Sequence, residues 1–282
     1  MILLTGATGK TGFALAQRLS RQGTPFRVNL RNSEQANRFS GMGCDIVVGD
    51  LTKPQARRQA LAGVEQVCLI LANFEGQQAT EQAIIQEAAE QGVQRVVKLS
   101  SIEAHPDIKA RIPQSHFQVE QSLKASGLDY CMVRPNFFMQ NLLANMPSIQ
   151  QNGSFSYPAA GARTAMIDIE DVADFMAAVL QDRSLRDQSF DISGPEILSF
   201  EQVATTIGQQ LGREVAFQAC SAKDLEDKLK GYLDPWQTEA VVELLSDLVL
   251  DQSARLSDDF EAVLKRPPRS LQEFVAGSPA FN

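Results

Sequence analysis

The sequence predicts a doubly wound parallel α/β sheet with a smaller C-terminal α+β lobe, and three observations carry that expectation. Short apolar runs alternate with helix-like stretches through the first half of the 282 residues. Several runs, Met1-Ile2-Leu3-Leu4 and Val67-Cys68-Leu69-Ile70-Leu71 among them, are apolar without interruption. Strands buried on both faces by flanking helices have that pattern. A glycine-rich turn, Gly6-Ala7-Thr8-Gly9-Lys10-Thr11-Gly12, directly follows the first run, where such a sheet binds phosphate.

The elements follow in order. Strands are expected at Met1 to Leu4, Phe26 to Leu30, Asp45 to Val48, Val67 to Leu71, Val96 to Leu99 and Tyr130 to Val133. Helical periodicity fills Gly12 to Gln22, Thr80 to Gln91 and His116 to Ala125, and Gly23, Gly92 and Gly127 stand where each helix should stop. Gly153 to Arg163, rich in Gly, Ser, Ala and Pro, reads as a loop with the aromatic insert Phe155-Ser156-Tyr157-Pro158. A helix over Ile169 to Leu180, a strand over Ser189 to Ser193, a helix starting at Ser199, a strand over Glu214 to Ala219 and acid-rich helices between Ala222 and Leu264 complete the chain. These pieces predict a Rossmann-type domain over 1–150 with a return segment at 166–193, and a smaller lobe over 194–282 lying on the carboxyl ends of the strands.

Net charge of −8 argues against nucleic-acid and anionic-membrane partners. The four cysteines form no C-x-x-C pair, and Cys68 and Cys131 lie in apolar runs, as core residues of a reducing compartment would. Two scattered histidines predict no metal site. No targeting segment is evident at Met1 and no apolar run reaches membrane-spanning length, so a cytoplasmic location is expected.

Gly9-Lys10-Thr11 raises the possibility of an ATPase phosphate loop. That pattern requires glycine at the position of Leu4, and a magnesium-binding acid after a buried strand, where Ala72-Asn73 stand. The alternative is a dinucleotide turn. Gly6 would make the tight bend, Gly9 allow close approach of pyrophosphate, and Gly12 let helix pack on strand. An acid for a free ribose 2′-hydroxyl is missing at the end of the second strand, where Arg31-Asn32-Ser33 stand. Arginine there suits a 2′-phosphate, which favours NADP(H); a solvated arginine at a strand end is the plainer alternative. Asp50 and Leu51, after the third strand, are candidates to contact adenine.

Thr5-Gly6-Ala7-Thr8-Gly9, Arg31, Gly49-Asp50-Leu51, Leu99-Ser100-Ser101, the run Ser126 to Tyr130, the run Val133 to Asn141 and the tail Arg266 to Phe274 stand in a characteristic order. With these motifs, spread over nearly its whole length, the chain resembles the NmrA-like atypical short-chain dehydrogenases/reductases. Quinone oxidoreductases, triphenylmethane reductases and ergot-alkaloid-type dehydrogenases belong to that family. The resemblance implies that Gly6, Thr8, Gly9, Lys10, Thr11 and Gly12 hold the pyrophosphate, and Arg31 with Asn32 the 2′-phosphate. It places Leu71, Ala72 and Asn73, with Phe74, beside the adenosine, Ser100 and Ser101 near the nicotinamide ribose, and Pro135, Asn136 and Phe137, with Phe138, beside the nicotinamide. Phe137, Phe138 and Met139 fit a buried core equally well.

Ordinary members of the superfamily carry Tyr-x-x-x-Lys on the helix after the fifth strand. The corresponding stretch, Gln114 to Gln121, has neither residue, and the nearest lysines are Lys109 and Lys124. His116 is the remaining titratable candidate for proton transfer, with Ser101 as an orienting hydroxyl; His116 also fits a capping or solvent-facing role. His105, and the acid pairs Glu170-Asp171 and Asp258-Asp259, read as surface or helix-start groups. Two functions remain open: an NAD(P)H-dependent oxidoreductase passing hydride to a small conjugated electrophile such as a quinone or iminium-type compound, and a non-catalytic NADP(H)-binding redox sensor. An epimerase is the weaker third, since it normally needs the same tyrosine. A small-molecule substrate is expected for the enzyme, and oligomeric state is left open.

Overall fold

The computed structural model describes residues 1–250 and 253–281, the side chains of 249 and 250 excepted. Seven strands form the main sheet: β1 (Ile2–Leu4), β2 (Phe26–Leu30), β3 (Asp45–Val48), β4 (Gln66–Leu69), β5 (Arg95–Leu99), β6 (Asp129–Pro135) and β9 (Gln188–Ile192), in the order β3-β2-β1-β4-β5-β6-β9. The pairings from β3 through β6 are parallel, with Leu4 opposite Val28 on one side and Cys68 on the other. Order reverses at β1, which places the switch point of the sheet between β1 and β4. The expected doubly wound α/β fold is therefore the observed one.

Helices α1 (Lys10–Arg21), α2 (Pro54–Leu61), α3 (Gln77–Glu90), α4 (Arg111–Lys124) and α6 (Ile169–Gln181) connect the strands. Helix α4 begins five residues before its expected start and tolerates Pro113 because the N–H groups of a first turn have no intrahelical acceptor anyway. Gly23, Gly92 and Gly127 all take positive φ, as helix stops do.

Contacts divide the chain into two compact units, residues 1–100, 115–134 and 172–190, and residues 101–114, 135–171 and 191–282. Residues 101–114 and 135–150, grouped by sequence with the nucleotide-binding half, thus pack in the second unit. The first unit buries Leu3, Val67, Leu69, Val96, Ile84 and Val119 together. The second has its own core, in which Phe155, Tyr157, Phe200, Ile207 and Phe274 meet.

Two expectations need correction in the second unit. Ser154-Phe155-Ser156-Tyr157 is not a loop but strand β7 (Ser154–Tyr157), paired in parallel with β11 (Ala216–Ala219). Its alternation buries Phe155 and Tyr157 and leaves the two serines half-buried. Asp171 does stand in the first turn of α6, but not on a solvated face: it is fully buried and takes bonds from Arg266 Nη2 (2.8 Å), Arg269 Nη1 (2.6 Å) and the Arg269 amide (2.6 Å). Acid-rich helices do occupy much of 222–264, with positions 251–252 outside the described residues.

Candidate functional site

The glycine turn is anchored at both ends. The Thr5 hydroxyl donates to the carbonyl of Ile70 (2.8 Å) and accepts from the Ile70 amide (2.9 Å), tying the end of β1 to the end of β4. Gly6 takes φ of +60°, and a Cβ there would lie 2.3 Å from the Ile70 carbonyl oxygen. At Gly12 a Cβ would lie 2.3 Å from the carbonyl oxygen of Gly6. Both glycines are therefore demanded by the chain's own packing. Gly9 is different: its φ is −72°, and the nearest atom to an added Cβ is the Gly6 oxygen at 3.4 Å, an ordinary contact. Gly9 also caps α1, with no side-chain cap and no acid in the first turn. Unpaired N–H groups and the positive end of the helix dipole are thus left for an anion. Thr8 is half-buried, Lys10 is exposed and Thr11 turns inward.

At the end of β2, Arg31 is exposed and stacks its guanidinium 5.7 Å from the centroid of Phe74, which follows β4. Among the described residues it has no carboxylate within ion-pair distance. Asn32 is engaged elsewhere: its side chain caps the 3₁₀ helix Ser33–Phe39, accepting from the Glu34 amide (2.9 Å) and donating to the Glu34 carboxylate (3.1 Å). The Asp50 carboxylate accepts from the Thr52 amide (3.0 Å) and hydroxyl (2.8 Å). Those bonds, then the charges of Arg31 and Lys53, hold it below the ordinary carboxylate range. Leu51 packs in the core of the first unit, Leu71 against it; Ala72 is exposed and Asn73 half-buried. The turn, Arg31, Asp50 and Leu71 to Phe74 thus come together in one unit.

Ser100 and His116 belong to that unit as well. The Ser100 hydroxyl, buried, donates to Glu120 (2.7 Å), which also takes Arg134 Nε (2.8 Å). Beside them Lys98 and Glu81, both fully buried, form an ion pair at 2.7 Å. His116 has a buried Nδ1 without a hydrogen-bond partner, and burial, then the Lys98 ammonium, push its imidazole well below the ordinary histidine range. It is therefore a neutral imidazole at pH 7, neither solvent-facing at Nδ1 nor a charged acid. Lys98 stands on β5 and not on α4, the helix where the superfamily's lysine is expected. Its signal in the sequence is a charged residue inside the buried run Arg95-Val96-Val97-Lys98-Leu99.

Ser101, Pro135, Asn136 and Phe137 belong to the second unit. The Ser101 hydroxyl is given to the Glu103 carboxylate. Asn136, buried, accepts from Thr164 (2.8 Å) and from the Phe137 amide (2.7 Å) and donates to the Ser253 carbonyl (2.9 Å). Phe137 joins the aromatic core, edge-on to Tyr157 and Phe200. Their side chains are thus taken up within that unit.

The model of the NmrA-like family matches residues 1–264. The chain belongs to the NmrA-like family. It is 29 % identical over 281 residues to an NAD(P)H azoreductase of Xenophilus azovorans, covering 99 % of this chain and 98 % of that one. It is 25 % identical over 283 residues to quinone oxidoreductase 2 of Escherichia coli, covering 98 % of each. The crystal structure of an NADPH-dependent quinone oxidoreductase from Escherichia coli complexed with NADPH superposes with a TM-score of 0.88 at 23 % identity, over 97 % of this chain and 98 % of that one. The family that the motifs implied is thus the one observed, and the relatives named above include an NAD(P)H azoreductase and a quinone oxidoreductase. Among its described residues no helix is long and apolar enough to cross a membrane.

Proposed function

We propose that this NmrA-like chain is an NADP(H)-dependent oxidoreductase that passes hydride to a small conjugated electrophile such as a quinone or iminium-type compound. The observation that carries it is the glycine turn, in which packing demands Gly6 and Gly12 but not Gly9. A glycine that the protein does not need, at an uncapped helix end, fits a pyrophosphate lying close over the first turn. Gly6, Thr8, Gly9, Lys10, Thr11 and Gly12 would surround it. Arg31 would take the 2′-phosphate, while Asn32, whose side chain and backbone N–H are both engaged in the cap of the following 3₁₀ helix, would hold that segment in place; Asp50 and Leu71 to Asn73 would border the adenosine, and Ser100 the nicotinamide ribose. When bound, the nicotinamide supplies the hydride. Burial keeps His116 neutral, and the Lys98 ammonium is fully buried and bonded to Glu81, so neither presents a charged donor to a substrate. An acceptor whose reduction needs little acid catalysis suits that site, and the names of the azoreductase and quinone oxidoreductase relatives accord with it. Four free cysteines accord with a reducing, cytoplasmic setting.

The test is NADPH oxidation by the purified protein with a panel of quinones and iminium-type compounds. Flat absorbance with cofactor bound would overturn the enzymatic reading. A companion titration of NADPH against NADH should show wild type preferring NADPH, and Arg31→Ala losing most of that preference, about 1 to 3 kcal/mol. Equal binding of both cofactors by wild type would remove Arg31 from the role. The second reading, a non-catalytic NADP(H) sensor, draws on the absence of tyrosine and lysine from Gln114 to Gln121. A partner protein whose affinity follows NADP⁺ occupancy would favour it, and steady turnover would exclude it as the sole role.

A further inference from the structure

The connection between β2 and β3 carries a second guanidinium facing the glycine turn. Arg38 lies in the last turn of the 3₁₀ helix Ser33–Phe39, and its Nη1 donates to the Thr8 carbonyl at 2.8 Å. The guanidinium lies 4.6 Å from the centroid of Phe13, a ring held edge-on against buried Phe39 at 5.7 Å. It is fixed at two points, yet the residue is exposed, and among the described residues it has no carboxylate partner. Four of its five N–H donors are left over from the Thr8 bond.

Two facts bear on what those donors face. The same connection supplies Arg31, and the segment after the second strand is where a doubly wound sheet reads the adenosine ribose. A phosphate monoester is close to dianionic at neutral pH and has three acceptor oxygens, more than one guanidinium fork can satisfy. Both arginines are also preorganised on aromatic rings, which reduces the side-chain freedom lost on binding. Resting on the dinucleotide reading above, we propose that Arg38 is a second specificity-determining residue for the nucleotide's 2′-phosphate, forming with Arg31 a two-guanidinium receptor braced on the Thr8 carbonyl. Single loss of Arg31 then leaves a residual preference, and loss of both abolishes it.

The competing role for Arg38 is a clip that merely shapes the turn, and the two roles separate in binding. Wild type, Arg38→Met, Arg31→Met and the double variant are titrated calorimetrically with 2′,5′-ADP and with 5′-AMP. Methionine keeps the apolar contact with Phe13 while removing the charge. Wild type should prefer 2′,5′-ADP. Arg38→Met should lose about tenfold of that preference with 5′-AMP affinity nearly unchanged, and the double variant should bind the two probes alike. If wild type does not distinguish the probes, the 2′-phosphate reading itself falls. If wild type distinguishes them but Arg38→Met keeps the ratio, or weakens both probes equally, Arg38 is only a clip; this proposal is then overturned while the NADP(H) reading stands.

Discussion

A methyl group added to the glycine turn meets very different surroundings at its three glycines, and that difference separates folding from binding. Gly6→Ala drives a Cβ to 2.3 Å from a backbone oxygen at a positive φ, so it should cost more than about 2 kcal/mol in urea unfolding. Gly9→Ala should cost less than about 1 kcal/mol while weakening NADPH by tenfold or more, by about 1.4 kcal/mol on the binding scale. A Gly9→Ala protein that binds NADPH like wild type would remove the close-approach argument. His116 makes the second residue-scale prediction. Its folded imidazole stays neutral at pH values where the unfolded one, with an ordinary pKa of 6.5, takes up a proton. Acidification through that window gives the unfolded chain the extra proton, so His116 makes stability fall as pH drops below about 6.5. His116→Gln should flatten that slope in denaturation curves between about pH 5 and 7. Parallel slopes for the two proteins would show that the histidine titrates alike in both states.

At the scale of elements, β5 joins to α3 through the buried Lys98–Glu81 pair. Lys98→Met should destabilise by about 3 to 5 kcal/mol, because it strands a carboxylate in the core. Adding Glu81→Leu should recover much of the loss, since an apolar pair requires no compensating charge; failure to recover would mean that the pair contributes more than mutual neutralisation. Strands β2 and β3 match their expected limits residue for residue, because turn-forming residues stand close on both sides, Pro25 and Asn32 around β2 and Gly43 and Gly49 around β3. Strand β7 was hidden by its surroundings: glycine and proline flank Ser154 to Tyr157, and only pairing with β11, some sixty residues on, reveals the strand. Arg31 becomes a candidate by counting from the glycines, because the fold fixes the spacing from the turn to the end of β2. Arg38 does not, since its bond to the Thr8 carbonyl depends on how the 3₁₀ helix folds back. The partners of Lys98, Ser100 and Asp171 were illegible for the same reason: each pair joins segments far apart in the chain.

At the scale of the whole molecule, the chain passes between its two compact units five times. No single cut yields either unit intact. A fragment of residues 1–150 keeps the first six strands but lacks α6 and β9, the strand that pairs with β6 at one end of the sheet. It should therefore show no cooperative urea transition and should associate as its concentration rises, whereas the full chain should unfold cooperatively; a soluble monomeric fragment with a sharp transition would contradict this. Ribosomal synthesis repeats that cut transiently. Six neighbouring strands emerge before the seventh has been translated, and until then β6 offers its unpaired amides and carbonyls to any extended polypeptide nearby. The period of greatest exposure to misassembly in the cell is thus set by the translation time of the roughly fifty residues between β6 and β9, and chaperones that grip extended segments would find their target there.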